Sequence, residues 1–328
     1  MAPTSYLSQT HLNRPDGTQL VLYHHEPRHT ADLTLVLVHG WSASARVWDS
    51  MLDDLAADAR LRIITYDQRG HGASTAGHNA PSINVLADDL DAVLTATNPD
   101  APAVLVGHSM GSMTLLAYAA SKPHRLSHDI AGILLVSASG GRMDPRQPGH
   151  PPLTRAIGTA RNALAEVCVR APRPTGHLRH LVQPSTDPRP PTDIAAEWYR
   201  AILRFDVTGQ LAALQRIPVH LVTGALDRVI PPIHTCRLAA QLPHARLHVA
   251  EGVGHCLPTE RPLLLLSLLA ELLAQIRHER AGGMASRLPT DSGRSPVLRV
   301  FLRTRSRAMN HALASKIGRN TVTVRSIF

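Results

Sequence analysis

Cysteine is scarce in this 328-residue chain: Cys168, Cys236 and Cys256 are its three thiols. They lie far apart and none forms a C-x-x-C pair, so neither a disulfide scaffold nor a dithiol motif is available. Long apolar runs are missing too. The longest, from Leu263 to Ala270, falls well short of the ~20 residues that cross a bilayer. No apolar stretch opens the sequence, so no secretory leader is expected, and a cytoplasmic, reducing location is the expectation. Phosphate loops, dinucleotide fingerprints and zinc motifs are absent. His177 and His180 have poor metal spacing and no carboxylate cluster nearby. No cofactor and no metal are therefore expected. Aromatic residues make up 3% of the chain. The 44% hydrophobic and 18% charged content excludes disordered and fibrous classes and fits a soluble globular protein. The length suffices for one large domain or two small ones.

Lysine is nearly absent, with two against 32 arginines, yet the formal net charge is +9. Nine of the basic residues lie in 281–328, opposed there only by Asp291, so residues 1–280 are left at +1. The excess describes a tail. Arginine suits phosphate recognition, but the bias runs through the whole chain and reads as base composition. No nucleic-acid partner is expected; a small-molecule substrate is. Gly282-Gly283 and Pro289 to Pro296 read as a linker. Val297-Leu-Arg-Val-Phe-Leu-Arg303 mixes apolar and basic residues and could lie on an anionic membrane or RNA. A disordered extension is the preferred reading of 281–328. Oligomeric state is left open.

Strand-like and helix-like segments alternate through the body. Leu33–His39, Leu61–Tyr66, Ala101–Gly107, Ile130–Ser137, Val219–Thr223 and Arg246–Ala250 read as strands. Arg46–Ala59, Ser82–Thr95, Ser109–Ala120 and Glu260–Arg277 read as helices. This alternation predicts an α/β fold with a mostly parallel sheet covered on both faces. Gln19–Tyr23 could add antiparallel edge strands. Residues 1–140 and 217–280 form the expected core. Between them, 141–216 is rich in Pro and Arg, with helix-like pieces near Ala156–Arg170 and Asp193–Arg204. It reads as a cap or lid insertion.

Gly107-His-Ser-Met-Gly111 matches G-x-S-x-G between an apolar strand and a helix-like segment. A nucleophile elbow needs that sharp strand-to-helix turn, with glycine at both flanks. Serine is a weak nucleophile until a base takes its proton, and the base needs an orienting acid. Downstream, Asp227 follows the strand Val219–Thr223, and His255 follows the strand Arg246–Ala250. Taken singly, Asp227 could be a turn residue and His255 a surface histidine. Together they give the order Ser, acid, His, each at a strand end. The backbone N–H of Met110 follows the serine. The N–H of Trp41 follows the first buried strand. These two are the candidate donors for an oxyanion hole. His108 lies on the strand side of the elbow and reads as a packing or hydrogen-bonding residue. Cys256 reads as an inert thiol.

The stretches LVLVHGWSAS, ITYDQRGHGAS, LVGHSMGS, VTGALDRVIPP and EGVGHCLPTERP together resemble the α/β-hydrolase superfamily, in its branch of serine esterases, lipases and peroxidase-like hydrolases. The resemblance spans roughly residues 20–278. It implies an eight-stranded, mostly parallel sheet with helices on both faces and a helical cap at 141–216. It implies Ser109 as nucleophile, Asp227 as orienting acid, His255 as base, and Trp41 with Met110 as the oxyanion hole. It implies that Tyr66 to Gly72 is a structural turn beside the site. The expected activity is cleavage of a carboxylic ester of a small apolar substrate through an acyl-enzyme. C–C bond, thioester or amide hydrolysis and cofactor-free perhydrolysis are alternatives, and a catalytically silent ligand-binding relative is another. Trp41, Trp198, Tyr199 and Phe205 admit two readings: core packing under the cap, or an apolar substrate pocket.

Overall fold

The computed structural model describes residues 8–97, 101–126, 128–143, 192–285 and 321–322. One sheet organises them. Its strands, in chain order, are β1 Ser8–Asn13, β2 Gln19–His25, β3 Leu33–Val38, β4 Leu61–Asp67, β5 Ala103–His108, β6 Ile130–Val136, β7 Val219–Gly224, β8 Arg246–Ala250 and β9 Thr321–Val322. Their order across the sheet is β1-β2-β4-β3-β5-β6-β7-β8-β9. From β4 to β8 every pairing is parallel, whereas β1–β2, β2–β4 and β8–β9 are antiparallel.

The central strands are apolar throughout because both faces are covered. Leu33, Leu35 and Leu37 of β3 point to one face, where they pack with Met51, Leu52 and Leu55 of helix α1, Asp49–Leu55. Val36 and Val38 point to the other, among Leu86 and Leu90 of α2, Ile83–Thr97, and Met113 and Leu116 of α3, Met110–Ser121. This is the two-residue alternation of a strand doing duty in two cores. Helices α4 Thr192–Arg204 and α5 Pro232–Ala240 belong to the second side through Trp198, Ile202 and Leu238. The last helix, α6 Pro262–Ala285, closes the first side with Leu265, Leu269, Leu272, Leu273 and Ile276. That spacing gives one helical stripe. Each such fully buried side chain contributes about 2 kcal/mol relative to an exposed one.

Where the structure departs from the sequence expectation, hydrogen bonding supplies the reason. The segment foreseen as one helix from Arg46 begins as a 3-10 turn, Ala45–Trp48, and α1 ends at Leu55. The closing helix starts at Pro262 instead of Glu260, since Leu257–Glu260 forms a separate turn and Pro suits a first helical position. The sheet gains a ninth strand: Thr321 and Val322, in the tail set apart from the fold, pair with Ala250 and Val249. An edge strand such as β8 offers unpaired backbone groups that accept this pairing. The helix-like piece at 156–170, His177, His180 and Cys168 lie outside the described residues. Among the described residues no helix is long and apolar enough to cross a membrane, and no cluster of metal-ligating side chains occurs.

The chain turns direction across the sheet at β3, which lies between β4 and β5. Crossovers on either side of such a switch point leave a crevice at the carboxyl ends of the strands, where ligands bind in open α/β sheets. The loops after β3 and β5 meet there.

Candidate active site

Ser109 sits between β5 and α3 with φ 55° and ψ −116°. A non-glycine residue held at positive φ is strained, and such strain persists only where the surroundings over-determine it. Two glycines permit the turn. A Cβ on Gly107 would lie 2.6 Å from the Gly111 carbonyl carbon, and one on Gly111 would lie 2.2 Å from the Val38 carbonyl oxygen. Any side chain at either position would push α3 off the sheet. The Ser109 backbone N–H is tied to the Val136 carbonyl at 2.8 Å, and the side chain stands at the strands' carboxyl edge.

Three side chains converge at that edge. The Ser109 hydroxyl donates to His255 Nε2 at 3.0 Å, and His255 Nδ1–H donates to Asp227 Oδ2 at 2.8 Å. Asp227 follows β7; its other oxygen, Oδ1, accepts the N–H groups of Val229 and Ile230, both at 2.9 Å. Burial by itself pushes the Asp227 carboxyl up. The His255 ring and the two backbone donors outweigh it and hold the acid below its ordinary range. Ser109 and His255 are each 8% exposed and Asp227 4%, so the relay is shielded from bulk water.

The backbone of His255 is fixed on every side. Its carbonyl accepts His108 Nε2–H at 2.9 Å and the Ser137 hydroxyl at 3.3 Å. The flanking N–H groups of Gly254 and Cys256 donate to the two carboxylate oxygens of Glu260, at 2.7 and 2.9 Å. Burial, with the Glu260 and Asp227 charges, drives the Cys256 thiol up to about 12, which leaves it protonated and a poor nucleophile. Glu260 and Ser137 were missed from sequence. Glu260 had a signal, lying five residues past His255 in GHCLPTE; Ser137 had none beyond its place at a strand end.

Trp41 follows Gly40 at the end of the β3 strand, and a Cβ on Gly40 would approach Ser109 Cβ to 3.1 Å. The Trp41 indole N–H donates to the Ala195 carbonyl of α4 at 3.1 Å, and its ring lies 5.5 Å from that of Tyr199. Met110 opens α3, where the first N–H groups of a helix have no carbonyl of their own. Of the four aromatics singled out, Trp41, next to the Gly40 that approaches Ser109, and Tyr199 therefore lie side by side. Trp198 and Phe205 are buried in the apolar core. The Trp198 ring lies tilted beside that of His71, with centroids 6.0 Å apart. Elsewhere, a cleft of about 250 Å³ lined by Arg216, His220, Arg246 and Glu279 opens at the amino ends of β7 and β8. That is the edge opposite Ser109.

The turn after β4 closes upon itself. Asp67 accepts the N–H of Ala45 at 2.7 Å, the N–H of Ala73 at 2.9 Å and the Tyr23 hydroxyl at 3.0 Å. Arg69 makes a two-pronged pair with Asp89 at 2.7 and 2.8 Å. Gln68 takes His39 Nε2 through its backbone N–H at 2.9 Å and reaches the His39 carbonyl with its side-chain amide at 2.6 Å. These groups brace the β3 and β4 ends.

Comparison with known proteins agrees with this architecture. The chain is similar to the non-heme chloroperoxidase CPO-A1 of Kitasatospora aureofaciens, with 29% identity over 246 residues, 67% of this chain and 84% of that protein. It is also similar to a protein named probable oxidoreductase EphD in Mycobacterium bovis, with 34% identity over 120 residues. The matched stretch is 36% of this chain and only 19% of EphD. Among solved structures, a thermophilic esterase from Thermogutta terrifontis superposes with a TM-score of 0.64 at 22% identity, covering 82% of this chain and 99% of that one. An enol-lactonase from Burkholderia xenovorans gives 0.63 at 23% identity, covering 81% and 100%. At those identities the likeness speaks for the fold. The model of the alpha/beta hydrolase family matches residues 35–267, and the chain belongs to that family.

Proposed function

We propose that the chain is a serine hydrolase that cleaves a carboxylic ester of a small apolar substrate through an acyl-enzyme. The observation that carries this reading is the buried relay from Ser109 through His255 to Asp227, at 3.0 and 2.8 Å, with the serine on a strained elbow. In the first half-reaction Ser109 Oγ attacks the ester carbonyl while His255 Nε2 takes its proton. Asp227 holds the ring with Nε2 free and stabilises the imidazolium that forms. The oxyanion is met by the N–H groups of Met110 and Trp41; one such donor is worth about 3–4 kcal/mol. Collapse expels the alcohol, which leaves with the proton from His255. Water then enters, gives a proton to His255, attacks the acyl carbon, and releases the acid and Ser109. The adjacent rings of Trp41 and Tyr199 form an apolar wall for the substrate.

The same acyl-enzyme attacked by hydrogen peroxide in place of water would give a peracid. The chloroperoxidase relative, matched over 84% of its length, favours keeping perhydrolysis as the second reading. A series of p-nitrophenyl esters of rising chain length, run on wild type and Ser109→Ala, tests the proposal. Release of p-nitrophenol by wild type, with loss of roughly 10⁶-fold in the variant, supports it. Equal rates would remove it. No turnover by wild type on any ester would point to a silent binder. Peroxide added to the wild-type assay separates the two reactions.

A further inference from the structure

The site contains a second buried imidazole that the mechanism does not use. His108 is the last residue of β5 and the immediate neighbour of Ser109. It is 4% exposed, and its ring centroid lies 5.0 Å from that of His255. One nitrogen, Nε2, meets the His255 carbonyl oxygen at 2.9 Å. The other, Nδ1, is buried with no hydrogen-bond partner and packs against Gly40, where a Cβ would approach it to 3.1 Å. An aliphatic side chain could fill this space without leaving a buried nitrogen unpaired, which costs about 1–3 kcal/mol. What the imidazole adds is a single N–H aimed at the backbone of the catalytic base.

We propose that His108 is a positioning residue that registers the histidine loop against the nucleophile's own strand. The proposal rests on the reading of His255 as the base. Adjacent elbow residues then grip one loop residue at two points: Ser109 Oγ holds the His255 ring at 3.0 Å and His108 Nε2–H holds its carbonyl at 2.9 Å. Glu260 restrains the same peptide from the far side through the N–H groups of Gly254 and Cys256. The ring must be neutral and in the Nε2–H form, since a carbonyl can only accept and Nδ1 has no acceptor to meet. Burial, with the neighbouring His255, drives His108 down to about 3, so this form persists wherever the enzyme works. Rotation or drift of the loop by 1 Å would lengthen the proton transfer, and a misplacement of that size costs about 10²-fold in rate.

Three variants separate this role from packing. Gln places its amide nitrogen where His has Nε2, Asn stops one bond short, and Leu has no donor. His108→Asn and His108→Leu are expected to lose about 10–100-fold in kcat with KM within about twofold. His108→Gln is expected to stay within about threefold of wild type. Wild-type kcat in all three, or equal loss in Gln, Asn and Leu, overturns the proposal. Imidazole ¹⁵N NMR of the wild-type enzyme tests the contact without any substitution. A neutral Nε2–H form with a slowly exchanging proton from pH 5 to 8 is expected; titration of His108 in that range, or an Nδ1–H form, overturns it. A fluorophosphonate probe keeps the two ideas apart. Failure of Ser109 to label in wild type counts against the hydrolase reading, whereas labelling and turnover unchanged by the His108 variants count against the positioning role alone.

Discussion

Two buried aspartates end two parallel strands of the same sheet, and they spend their oxygens differently. Asp67, at the end of β4, gives one oxygen to the Ala45 N–H and the other to the Ala73 N–H and the Tyr23 hydroxyl. Asp227, just past β7, satisfies one oxygen with the Val229 and Ile230 N–H groups and keeps the other for His255. The first carboxylate is a closed hub that holds three segments together. The second is half closed, and the open half reaches a titratable ring that in turn reaches a hydroxyl. A buried carboxylate thus marks a site by what remains after its backbone partners are counted.

Asp227→Asn tests the contrast most severely. The amide oxygen can still accept the loop N–H groups, but its NH2 then faces His255 Nδ1 as a donor and favours the wrong ring tautomer, so kcat should fall about 10⁴-fold with the melting temperature little changed. A variant that loses its fold before its activity would erase the distinction between the two aspartates.

Acid should strike both regions, because each buries a neutral imidazole. Burial first, and the neighbouring His39 second, lower His71 beside Asp67 to about 3, and His108 beside Ser109 is lowered to about 3 as well. In the unfolded chain both return to the ordinary value near 6.5. Between about 6.5 and 3 the unfolded state therefore binds more protons than the folded one, and stability falls as the pH is lowered through that window. Urea titrations at pH 7 and pH 5 should show the lower midpoint at pH 5. Equal midpoints would mean that neither ring is buried neutral. The ionised Asp227 contributes in the same direction, since its lowered value makes its stabilisation present above the unfolded carboxylate range and lost as the acid is protonated.

Asp67→Asn should show the reverse of Asp227→Asn. Its lost amide contacts cost about 1–3 kcal/mol, visible in the denaturation midpoint, while kcat per folded molecule stays within about threefold. Trp41→Phe carries the smallest effect. It removes the hydrogen bond to the Ala195 carbonyl and keeps the apolar ring, so kcat should fall by less than about tenfold, on the scale of one net hydrogen bond of about 1 kcal/mol. A larger loss would show that α4 sets the geometry of the loop carrying the Trp41 N–H.

The same contrast explains what could be read from the sequence. The alternating leucines and valines of β3 and the stripe from Leu265 to Ile276 follow directly from burial, and they announced the layers. The convergence of Ser109, Asp227 and His255 is legible because each follows a strand, with glycines nearby, in the order that the proposed chemistry needs. Asp67, in a segment equally rich in polar residues, differs from Asp227 only in where its oxygens point, and that is decided by Ala73 of its own turn and by Ala45 and Tyr23 from two other segments. Glu260 read as the first residue of the closing helix, yet its carboxylate bonds back to Gly254 and Cys256. Strand β1 is mostly exposed and Ser-Gln-Thr-His-Leu-Asn has little apolar alternation. Its pairing is set by register with β2, a tertiary fact. The pairing of Thr321 and Val322 with β8 likewise has no local cause.

The most direct test of the central claim is the site of covalent capture. Treated with a fluorophosphonate, the protein should gain one adduct, and peptide mass spectrometry should place it on Ser109. Asp227→Asn should label far more slowly and Asp67→Asn at nearly the wild-type rate. An unlabelled Ser109 in the folded wild-type protein, or equal labelling of all three, would contradict the account.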